Sequence, residues 1–417
     1  MDKYDIGELI ENPKKKQKEI TTTKGFKPWL IRAINSVNKI VSRNRSYFFI
    51  SDYIPLSYLV RIQLALGQIP TFWKPISISE VIPNLHQRKW HLVEENDDVF
   101  LNLLNQLIPL QIPKIYLEGY NALRANIKTS PWPTNPKIIF TANSYSSDDY
   151  FKAWAAEKTE GPTKLIIGQH GGHFGMTPIE TYAKHQYLIA DKWISWGWAR
   201  KEFPVIKALG NLKIIKKSPL KYNPLGYALM IEVEYPRYSY QLYSVPVSSQ
   251  QIQYLENQFT FLSLLPRKVF EKILLKPYHA NFKWFSNERF HDSFPHLQID
   301  KSGENIKNLL SNARICIVTY NATTLLESFS WDMPTIIFWD PLFFELNDEA
   351  QPFFDMLQSA KVFHSTSESA ASHLTEVWDD IPSWWNDPVT QLAVDTFSQR
   401  WNRMGEDVFK TVVKELK

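Results

Sequence analysis

The feature that most constrains how this chain folds is a glycine-rich segment directly after a short apolar run. Four of the 14 glycines fall within the eight residues 168–175, whose sequence is GQHGGHFG. Residues 164–167 before the segment predict a buried β-strand. Thr177-Pro178 after it predicts a helix start, because proline is favoured at the first helical position. The order of strand, glycine loop and helix indicates an open α/β sheet, in which ligands bind at the carboxyl ends of the strands.

The glycine loop carries two imidazoles and is the first candidate site. We predict His170 as a catalytic group on the acceptor side, and Gln169, Gly171 and His173 as contacts to the acceptor. Loop residues mounted on a rigid sheet carry binding and catalytic roles disproportionately often. The alternative is a tight turn in which the histidines only cap nearby backbone groups.

Apolar periodicity along the rest of the chain predicts two α/β halves. Short apolar runs alternate with helical patterns in both halves, which is typical of parallel sheets. We predict strands at 47–51, 115–117, 138–141, 164–167, 193–196, 227–233, 272–275, 314–319 and 335–339. We predict helices at 29–41, 57–66, 99–108, 148–157, 249–264, 305–310, 323–330 and 350–360.

A stretch at 216–224 that contains three lysines and two prolines predicts the linker between the halves. A chain of 417 residues is long enough for two domains. We predict an N-terminal Rossmann-like acceptor domain at 1–215, a C-terminal Rossmann-like nucleotide-sugar domain at 225–386, and a helical tail at 387–417. Two such domains facing a central cleft, with C-terminal helices, are the plan of the GT-B α/β fold of glycosyltransferases.

Composition limits which classes of partner and which cellular compartment we expect for this chain. The net charge of +4 and the lack of an arginine-rich stripe argue against a nucleic-acid partner. The single cysteine, Cys316, lies in an apolar run, so we expect a buried thiol, no internal disulfide and a reducing, cytoplasmic compartment. No apolar run reaches the length of a membrane span. Four lysines near the N-terminus favour either contact with an anionic membrane surface or a solvated tail; they are Lys14, Lys15, Lys16 and Lys18.

A hydroxyl-rich helix start follows the predicted strand at 314–319. We predict donor-binding residues within its sequence YNATTLLE; they are Tyr320, Asn321, Thr323, Thr324 and Glu327. Hydroxyls and unpaired N–H groups at a helix start bind phosphate, and Glu327 lies one turn later, where it can accept hydrogen bonds from a ribose. This arrangement resembles the nucleotide site of GT-B enzymes. The alternative is an ordinary helix start capped by Thr323.

Two cationic side chains follow the predicted strand at 272–275. We predict Lys276 and His279 as donor-binding residues, because they supply hydrogen-bond donors for phosphate at a strand end. Their segment KPYH resembles the His-Pro-type phosphate motif of CMP-sugar transferases, although Tyr278 precedes the histidine and no proline follows it. The alternative is a surface loop.

The predicted strand at 227–233 ends in carboxylates. Strand alternation places Glu232 and Glu234 on one face, towards the predicted cleft. A carboxylate there can act as a nucleophile or a base, or stabilise an oxocarbenium-like transition state. We predict Glu232 as catalytic and Arg237 as a donor-binding partner for phosphate or a sugar carboxylate. The alternative is a pair of solvated carboxylates.

One further carboxylate is a candidate on the acceptor side. Glu157 ends the helical segment FKAWAAE, and we predict it as catalytic, with a solvated helical glutamate as the alternative. The chain contains no Asp-x-Asp triplet, so the metal-binding signature of GT-A transferases is missing, and no GxGxxG follows a strand. We therefore expect no metal and no cofactor.

Four motifs together resemble one known family. They are the segment 148–157, the glycine loop, Trp196-Gly197-Trp198, and Glu234-Tyr235-Pro236-Arg237-Tyr238. Across residues 45–365 the chain resembles the retaining β-Kdo transferases of bacterial O-antigen and surface-polysaccharide assembly. The resemblance implies a GT-B fold, CMP-β-Kdo as donor, a lipid-linked glycan acceptor and no metal. It also implies a carboxylate nucleophile where Glu232 stands, a position at which we expect Asp in the family.

From the residues and the resemblance together, we expect a glycosyltransferase that moves Kdo from CMP-β-Kdo to a lipid-linked O-antigen or surface glycan, with retention. We expect it in the cytoplasm, peripheral at the inner membrane, and fused to or associated with other glycosyltransferase modules. One alternative is a nucleotide-linked polyol-phosphate transferase of the teichoic-acid type, which shares the fold and a cleft histidine. Another is a catalytically inactive glycan-binding GT-B scaffold.

Overall fold

The structure is a computed structural model that describes residues 45–90, 98–239 and 243–417. The predicted helix at 29–41 and the four N-terminal lysines lie outside the described residues. Within the described part, the helices and strands form two α/β halves, each built on its own parallel sheet.

The N-terminal half contains a five-stranded parallel sheet with the strands in chain order. The strands are β1 (Tyr47–Ile50), β2 (Ile138–Thr141), β3 (Lys164–Gly168), β4 (Lys192–Ser195) and β5 (Ile206–Ala208). Nearly all residues of the three central strands are buried. Helices cover such a sheet on both faces, which is why its strands are continuous apolar runs in the sequence rather than alternating ones.

Among its described residues, the N-terminal half has six α-helices, together with 3₁₀ turns at Leu85–Arg88 and Lys114–Tyr116. The helices are α1 (Leu56–Ala65), α2 (Val99–Gln111), α3 (Tyr120–Lys128), α4 (Ser144–Ser147), α5 (Asp149–Thr159) and α6 (Thr181–Ile189). The Asp148 carboxylate caps α5 by accepting a hydrogen bond from the Phe151 N–H at 2.9 Å. Asp148 is therefore the N-cap residue of this helix.

The C-terminal half contains a six-stranded parallel sheet. Its strands are β6 (Tyr227–Ile231), β7 (Ile273–Lys276), β8 (Gln298–Ile299), β9 (Ala313–Val318), β10 (Thr335–Phe338) and β11 (Phe363–His364). The spatial order is β11-β10-β9-β6-β7-β8. Counted from β6, this is the order 3-2-1-4-5-6 of the doubly wound Rossmann fold, and it reverses direction between β6 and β9.

Ten helices follow in the part of the C-terminal half that the structure describes. They are α7 (Gln250–Ser263), α8 (Arg267–Phe270), α9 (Ser286–Ser293), α10 (Ile306–Ser311), α11 (Thr323–Ser330), α12 (Gln351–Ser359), α13 (Ser367–Val377), α14 (Ile381–Trp385), α15 (Pro388–Trp401) and α16 (Glu406–Leu416). Cys316 is buried in β9 as a free thiol. Within the described residues, no helix combines the length and apolarity that crossing a membrane requires.

The last two helices join the halves. Helix α15 packs on α11 and α12 of the C-terminal half, whereas α16 returns to the N-terminal sheet, where Val408 and Val412 share a buried cluster with Phe140. Asn402, between the two helices, donates to the Leu326 carbonyl at 2.8 Å and accepts from Asn211 Nδ2 at 2.7 Å. Because Asn402 bonds to both halves while buried, it fixes the point where the chain crosses between them.

The predicted α/β architecture, GT-B with two Rossmann-like domains and C-terminal helices, is confirmed. Two local predictions were wrong. The apolar run at 115–117 is a 3₁₀ turn rather than a strand, bounded by Pro113 and Gly119. The helix after the glycine loop begins at Thr181 rather than Thr177, because the Glu180 carboxylate holds the loop by accepting from the Gly175 N–H and pairing with Arg200 at 3.0 Å.

Candidate functional site

The candidate site lies where the order of the C-terminal sheet reverses, between the carboxyl ends of β6 and β9. Thr319 connects these two ends, because its hydroxyl donates to the Ile231 carbonyl at 2.8 Å. The Tyr254 hydroxyl shares a hydrogen bond with Thr319 Oγ1 at 2.6 Å and accepts from the Val233 N–H. In doubly wound sheets, ligands bind in the crevice at this reversal. Glu232 follows β6 directly and so stands at the crevice.

Glu232 is a buried carboxylate with one open oxygen. Its side chain is 3% exposed, and within the described part of the chain its Oε1 atom has no hydrogen-bond partner. Burial and the nearby Glu234 carboxylate raise the pKa of Glu232 to about 8, against the opposing effect of a hydrogen bond from the Tyr278 backbone. A buried carboxylate beside a second one is a functional-site candidate on physical grounds.

A pocket of about 180 Å³ adjoins the two carboxylates. Its lining residues come from the C-terminal half; they are Glu232, Glu234, residues 277–281 and residues 285–288. Glu234 holds one wall in place by accepting from the Phe282 N–H at 2.7 Å and from the Ser286 hydroxyl at 3.0 Å. Lys283 and Phe285 in this wall adopt left-handed backbone conformations, with φ of 67° and 58°. Such strain in non-glycine residues is concentrated at binding and active sites.

The hydroxyl-rich turn after β9 forms the other side of the crevice. Asn321 is 2% exposed, and neither atom of its side-chain amide has a partner in the described part of the molecule. The Tyr320 and Thr324 hydroxyls bond to each other at 2.8 Å. Thr323 is the first residue of α11, and the residue before it, Ala322, supplies no side-chain cap. The helix start is therefore available to an external acceptor or to another part of the chain.

The glycine loop of the N-terminal half contacts this helix start. The Gly172 N–H donates to Thr323 Oγ1 at 3.1 Å. A Cβ atom at Gly172 would lie 2.6 Å from the carbonyl carbon and oxygen of Ala322, closer than real Cβ atoms approach. Glycine is thus required here for close approach rather than for an unusual φ. Two of the predicted sites, the glycine loop and the helix start, meet at one interdomain contact.

The two histidines of the glycine loop are neutral at pH 7. Burial lowers the pKa of both His170 and His173 to about 4. The His170 ring stacks on Tyr53, and its Nδ1 atom has no partner among the described residues. His173 lies between the rings of Phe174 and Tyr243, and thus between the two halves. A neutral imidazole can accept a proton, which is what a general base requires.

Gln169 positions the glycine loop. Its Oε1 atom accepts from the Trp196 N–H at 2.9 Å and from Trp198 Nε1 at 3.0 Å, and its Nε2 atom donates to the Gly171 carbonyl at 2.6 Å. The side chain is 3% exposed. The motif Trp196-Gly197-Trp198 therefore serves as the support of the loop. Acceptor contact by Gln169 and Gly171 stays a prediction.

Several predicted donor-binding residues have partners within the protein. Lys276 pairs with Asp300 at 2.9 Å, and Glu327 pairs with Lys213 of the N-terminal half at 2.7 Å. The Arg237 guanidinium lies over the Trp284 ring and donates to the Lys283 carbonyl at 3.3 Å. His279 is exposed in the pocket wall and packs against the Tyr278 ring. The structure brings all of these groups to the strand ends of the C-terminal half or to its interface.

Glu157 is not brought together with the other candidates. Helix α5 begins at Asp149, beside the carboxyl end of β2, and runs away from that end. Glu157 lies eight residues further along the helix, which corresponds to about 12 Å. Its side chain is exposed and pairs with Lys158 at 3.2 Å. This geometry favours the solvated alternative for Glu157.

Sequence reasoning missed Asp52, which follows β1 at the same sheet edge as the glycine loop. Burial raises the pKa of Asp52 to about 6, although the Ile54 N–H donates to its carboxylate at 2.8 Å. Its neighbours Ser51 and Tyr53 have φ of 46° and 57°, so this short segment is strained on both sides of the carboxylate. The available signal was the position of an aspartate just after a buried strand.

Comparison with known proteins identifies a family. The model described as LIC12162 family transferase matches residues 3–416. The chain therefore belongs to the LIC12162 family transferases. A search of curated proteins gives no match.

The chain also has similar solved structures. One is a Listeria monocytogenes protein assigned as a UDP-N-acetylglucosamine 2-epimerase, with 12% identity, 88% of this chain and 94% of that chain covered, and a TM-score of 0.48. WaaG, a glycosyltransferase involved in lipopolysaccharide biosynthesis, has 10% identity, coverage of 89% and 99%, and a TM-score of 0.38. MurG of Acinetobacter baumannii has 12% identity, coverage of 92% and 94%, and a TM-score of 0.37.

Proposed function

We propose that this member of the LIC12162 family transferases is a glycosyltransferase. We propose further that it moves Kdo from CMP-β-Kdo to a lipid-linked O-antigen or surface-glycan acceptor with retention. The observation that carries the proposal is Glu232, a buried carboxylate with an open oxygen at the sheet reversal, beside a pocket and across from a hydroxyl-rich helix start. The identity of the donor, CMP-β-Kdo, rests on the sequence resemblance to retaining β-Kdo transferases.

In the first step, Glu232 is the nucleophile. Its ionised carboxylate attacks the anomeric carbon of the donor sugar, the bond to the phosphate of CMP breaks, and a glycosyl ester forms on Glu232. Only the ionised form can attack. Burial raises the pKa of Glu232 to about 8, so the reactive fraction increases with pH up to that value. Glu234 accepts hydrogen bonds from the Ser286 hydroxyl and the Phe282 N–H, and so holds the wall of the pocket in place.

In the second step, a hydroxyl of the acceptor attacks the glycosyl ester and releases Glu232. Two inversions give net retention at the anomeric carbon. His170, at the matching sheet edge of the N-terminal half, is the proposed base for the acceptor hydroxyl, because burial keeps its imidazole neutral at pH 7. His173 is proposed to line the acceptor side of the cleft.

The phosphate of CMP is proposed to bind at the start of α11. There its oxygens accept from the Thr323 hydroxyl, whose oxygen already accepts from the Gly172 N–H. Helix starts bind anions through their free N–H groups and the helix dipole. The buried side-chain amide of Asn321 has no partner for its nitrogen or its oxygen in the described structure, so it is proposed to hydrogen-bond to the donor. Donor binding and the interdomain contact therefore both involve the Thr323 hydroxyl, and neither a metal nor another cofactor is part of the proposal.

The test is a transfer assay with CMP-β-Kdo and a lipid-linked glycan, read by CMP release and by the mass of the glycan. We expect CMP release that depends on Glu232, and one added Kdo on the acceptor. Release of CMP at the same rate by Glu232→Ala would contradict the proposal. A preference for another nucleotide sugar would contradict CMP-β-Kdo as the donor but would still agree with a glycosyltransferase activity.

A second candidate function is a glycan-binding scaffold without turnover. The observation that favours it is that Lys276, Glu327 and Thr323 are all engaged by Asp300, Lys213 and Gly172. A scaffold would bind glycan but would neither hydrolyse CMP-β-Kdo nor transfer its sugar. Donor hydrolysis in the absence of acceptor separates the two functions.

A further inference from the structure

Asn347 belongs to the C-terminal half, but its hydrogen bonds reach the glycine loop of the N-terminal half. It lies in the connection that leaves the carboxyl end of β10 and leads to α12. Its side-chain Nδ2 atom donates to the Gly175 carbonyl at 2.8 Å and to the Thr177 carbonyl at 3.4 Å. Its backbone N–H donates to the Met176 carbonyl at 2.9 Å. One residue therefore bonds to three consecutive carbonyls of the other half.

The orientation of the Asn347 amide is fixed by its partners. The Oδ1 atom accepts from the Ala350 N–H at 2.9 Å, just before α12 begins. With the oxygen held there, Nδ2 faces the loop carbonyls, which can only accept hydrogen bonds. An aspartate could still accept from Ala350, but it has no N–H to donate to the loop. The contact with the loop therefore requires an amide at this position.

The carbonyls that Asn347 holds belong to the turn that carries a histidine. The Met176 N–H donates to the His173 carbonyl at 3.1 Å and closes this turn. Phe174, inside the turn and 1% exposed, packs against both imidazoles of the loop. Its ring centroid lies 5.1 Å from that of His170 and 4.7 Å from that of His173. A displacement of the turn would therefore move Phe174 and, through it, both imidazoles.

Groups of the N-terminal half bond to the same end of the loop. The Gly175 N–H donates to the Glu180 carboxylate. The Gly175 carbonyl accepts from the Arg200 guanidinium at 3.0 Å as well as from Asn347. A buried backbone carbonyl that accepts from both halves ties the conformation of the loop to the contact between them. Asn347 is the part of this arrangement that the C-terminal half supplies at Gly175.

Asn347 is also connected to the pocket beside Glu232. Phe344, three residues earlier and fully buried, packs against the Tyr235 ring, with the ring centroids 6.3 Å apart. The Tyr235 carbonyl accepts from Trp284 Nε1 at 2.8 Å. Trp284 lies between two segments that line the pocket. Packed and hydrogen-bonded groups thus join the wall of the pocket to the residue that holds the glycine loop.

We propose that Asn347 is a positioning residue for the second step of the transfer. It holds the turn beside the two histidines, so that His170 is in place to take the proton of the acceptor hydroxyl when the halves are joined. A base must lie within hydrogen-bond reach of the proton that it removes, and a displacement of about 1 Å can lower a rate by a large factor. The inference rests on the proposed function, because it assigns Asn347 to one of its two steps.

The first step should not depend on Asn347. Glu232 and its pocket lie within the C-terminal half, so formation of the glycosyl ester uses no group of the glycine loop. The second step uses His170, which the loop carries. Loss of the Asn347 amide should therefore slow sugar transfer and leave the first release of CMP unchanged. A merely structural role would lower the rates of both steps together.

The test compares the variants Asn347→Asp and Asn347→Ala with the unmodified chain. Each is mixed rapidly with CMP-β-Kdo and a lipid-linked glycan, and the first turnover is read by CMP release and by glycan product. We expect Asn347→Asp to slow product formation by about 10- to 100-fold while the first CMP release keeps its rate. The glycosyl ester should accumulate in intact-mass spectra. Asn347→Ala removes the amide without adding a charge and should show the same separation of the two steps.

The matched control is Asn305→Asp, which makes the same amide-to-carboxylate change at another helix cap. Asn305 Oδ1 accepts from the Asn308 N–H at 3.0 Å at the start of α10. This control should transfer sugar as the unmodified chain does. Amide hydrogen exchange without donor or acceptor gives a measurement that is independent of activity. Residues 172–180 should exchange faster in both Asn347 variants and at the unmodified rate in the control.

Three outcomes would overturn the proposal. They are unchanged exchange of residues 172–180 in both Asn347 variants, transfer by both at the unmodified rate, and equal loss of CMP release and glycan product. Failure of the proposed function has a different signature, because the unmodified chain would then release no CMP from CMP-β-Kdo. In that case the exchange measurement still decides whether Asn347 holds the glycine loop.

Discussion

The Gly172 N–H donates a hydrogen bond to the Thr323 hydroxyl and so joins the glycine loop of one half to the first residue of α11 in the other. A few further contacts accompany it, among them the Asn347 amide with the Gly175 carbonyl at 2.8 Å and Lys213 with Glu327 at 2.7 Å. The loop and the helix start are therefore parts of a single interface. A ligand at the start of α11 would therefore lie beside the contact between the two halves.

The first prediction concerns the close approach at Gly172. Gly172→Ala places a Cβ atom 2.6 Å from the Ala322 carbonyl, so the loop or the helix must move. We expect a destabilisation of about 1–3 kcal/mol, typical of overpacking, and a larger radius of gyration in small-angle scattering. Gly161→Ala is the matched control, since its new Cβ would lie 3.5 Å from the nearest atom. Equal melting temperatures and scattering curves for both variants would rule out the tight contact.

The second prediction concerns nucleotide binding. We expect CMP to bind in calorimetric titration with the same affinity with and without EDTA, because the proposed site uses a helix start and hydroxyls rather than a metal. A requirement for a divalent ion, or a clear preference for UDP, would contradict it.

The third prediction assigns the phosphate to α11. Thr323→Ala and Thr324→Ala together should weaken CMP binding, since a hydrogen bond to a charged group contributes about 1.5–3 kcal/mol. Thr323→Ser is the matched control, because it keeps the hydroxyl and should keep the affinity. If the double variant binds CMP normally and melts normally, the phosphate lies elsewhere.

Much of the fold follows from local patterns in the sequence. The helix predicted at 323–330 begins and ends at those residues, and the strand predicted at 138–141 is β2. Buried apolar runs that alternate with helices are typical of parallel strands, so the architecture could be predicted from the sequence. The short strands β5, β8 and β11 were missed, because two or three residues give no periodicity. The tail at 387–417 is two helices, because the chain turns at Asn402 and Gly405, which form contacts that the sequence cannot show.

The candidate site could be predicted from the sequence less completely than the fold. Sequence position alone identified Glu232 and Thr323 as strand-end and helix-start residues. It could not show that Lys276 pairs with Asp300 or Glu327 with Lys213, because each partner lies far away in sequence or in the other half. The burial of Glu232 likewise depends on the segment at 277–288, whose left-handed residues carry no pattern.

The fourth prediction concerns stability against pH. The native pKa of Glu232 is raised to about 8, so between its ordinary value and pH 8 the native state holds a proton that the unfolded state has lost. The free energy of unfolding should therefore fall as pH rises through this window, by up to about 1.4 kcal/mol per pH unit. Glu232→Gln should flatten this dependence, measured by urea unfolding from pH 6.5 to 8. Near pH 6.5, His170 and His173 add an opposing slope, because about half of each unfolded imidazole is protonated there while the native pKa is about 4; this slope fades at higher pH, and Glu232→Gln leaves it unchanged. Glu157→Gln, at an exposed glutamate, is the control and should leave the slope unchanged.

The last prediction concerns the chemistry at Glu232. Glu232→Ala should abolish Kdo transfer but keep CMP binding, since it removes the nucleophile without touching the start of α11. Glu232→Asp should raise turnover, because Asp is the residue expected at this position from the family resemblance. The longer Glu side chain changes both the reach and the angle of attack, and a displacement on the order of 1 Å in a reacting group changes rates by a large factor.

Glu234→Gln is the comparison variant. It should lower the pKa of Glu232 by removing a neighbouring charge, and so move the pH profile of turnover to lower pH. Intact-mass spectrometry after incubation with CMP-β-Kdo should show one added Kdo on the unmodified chain and none on Glu232→Ala. Normal transfer by Glu232→Ala would leave Glu232 as a buried structural carboxylate whose open oxygen has no part in the reaction.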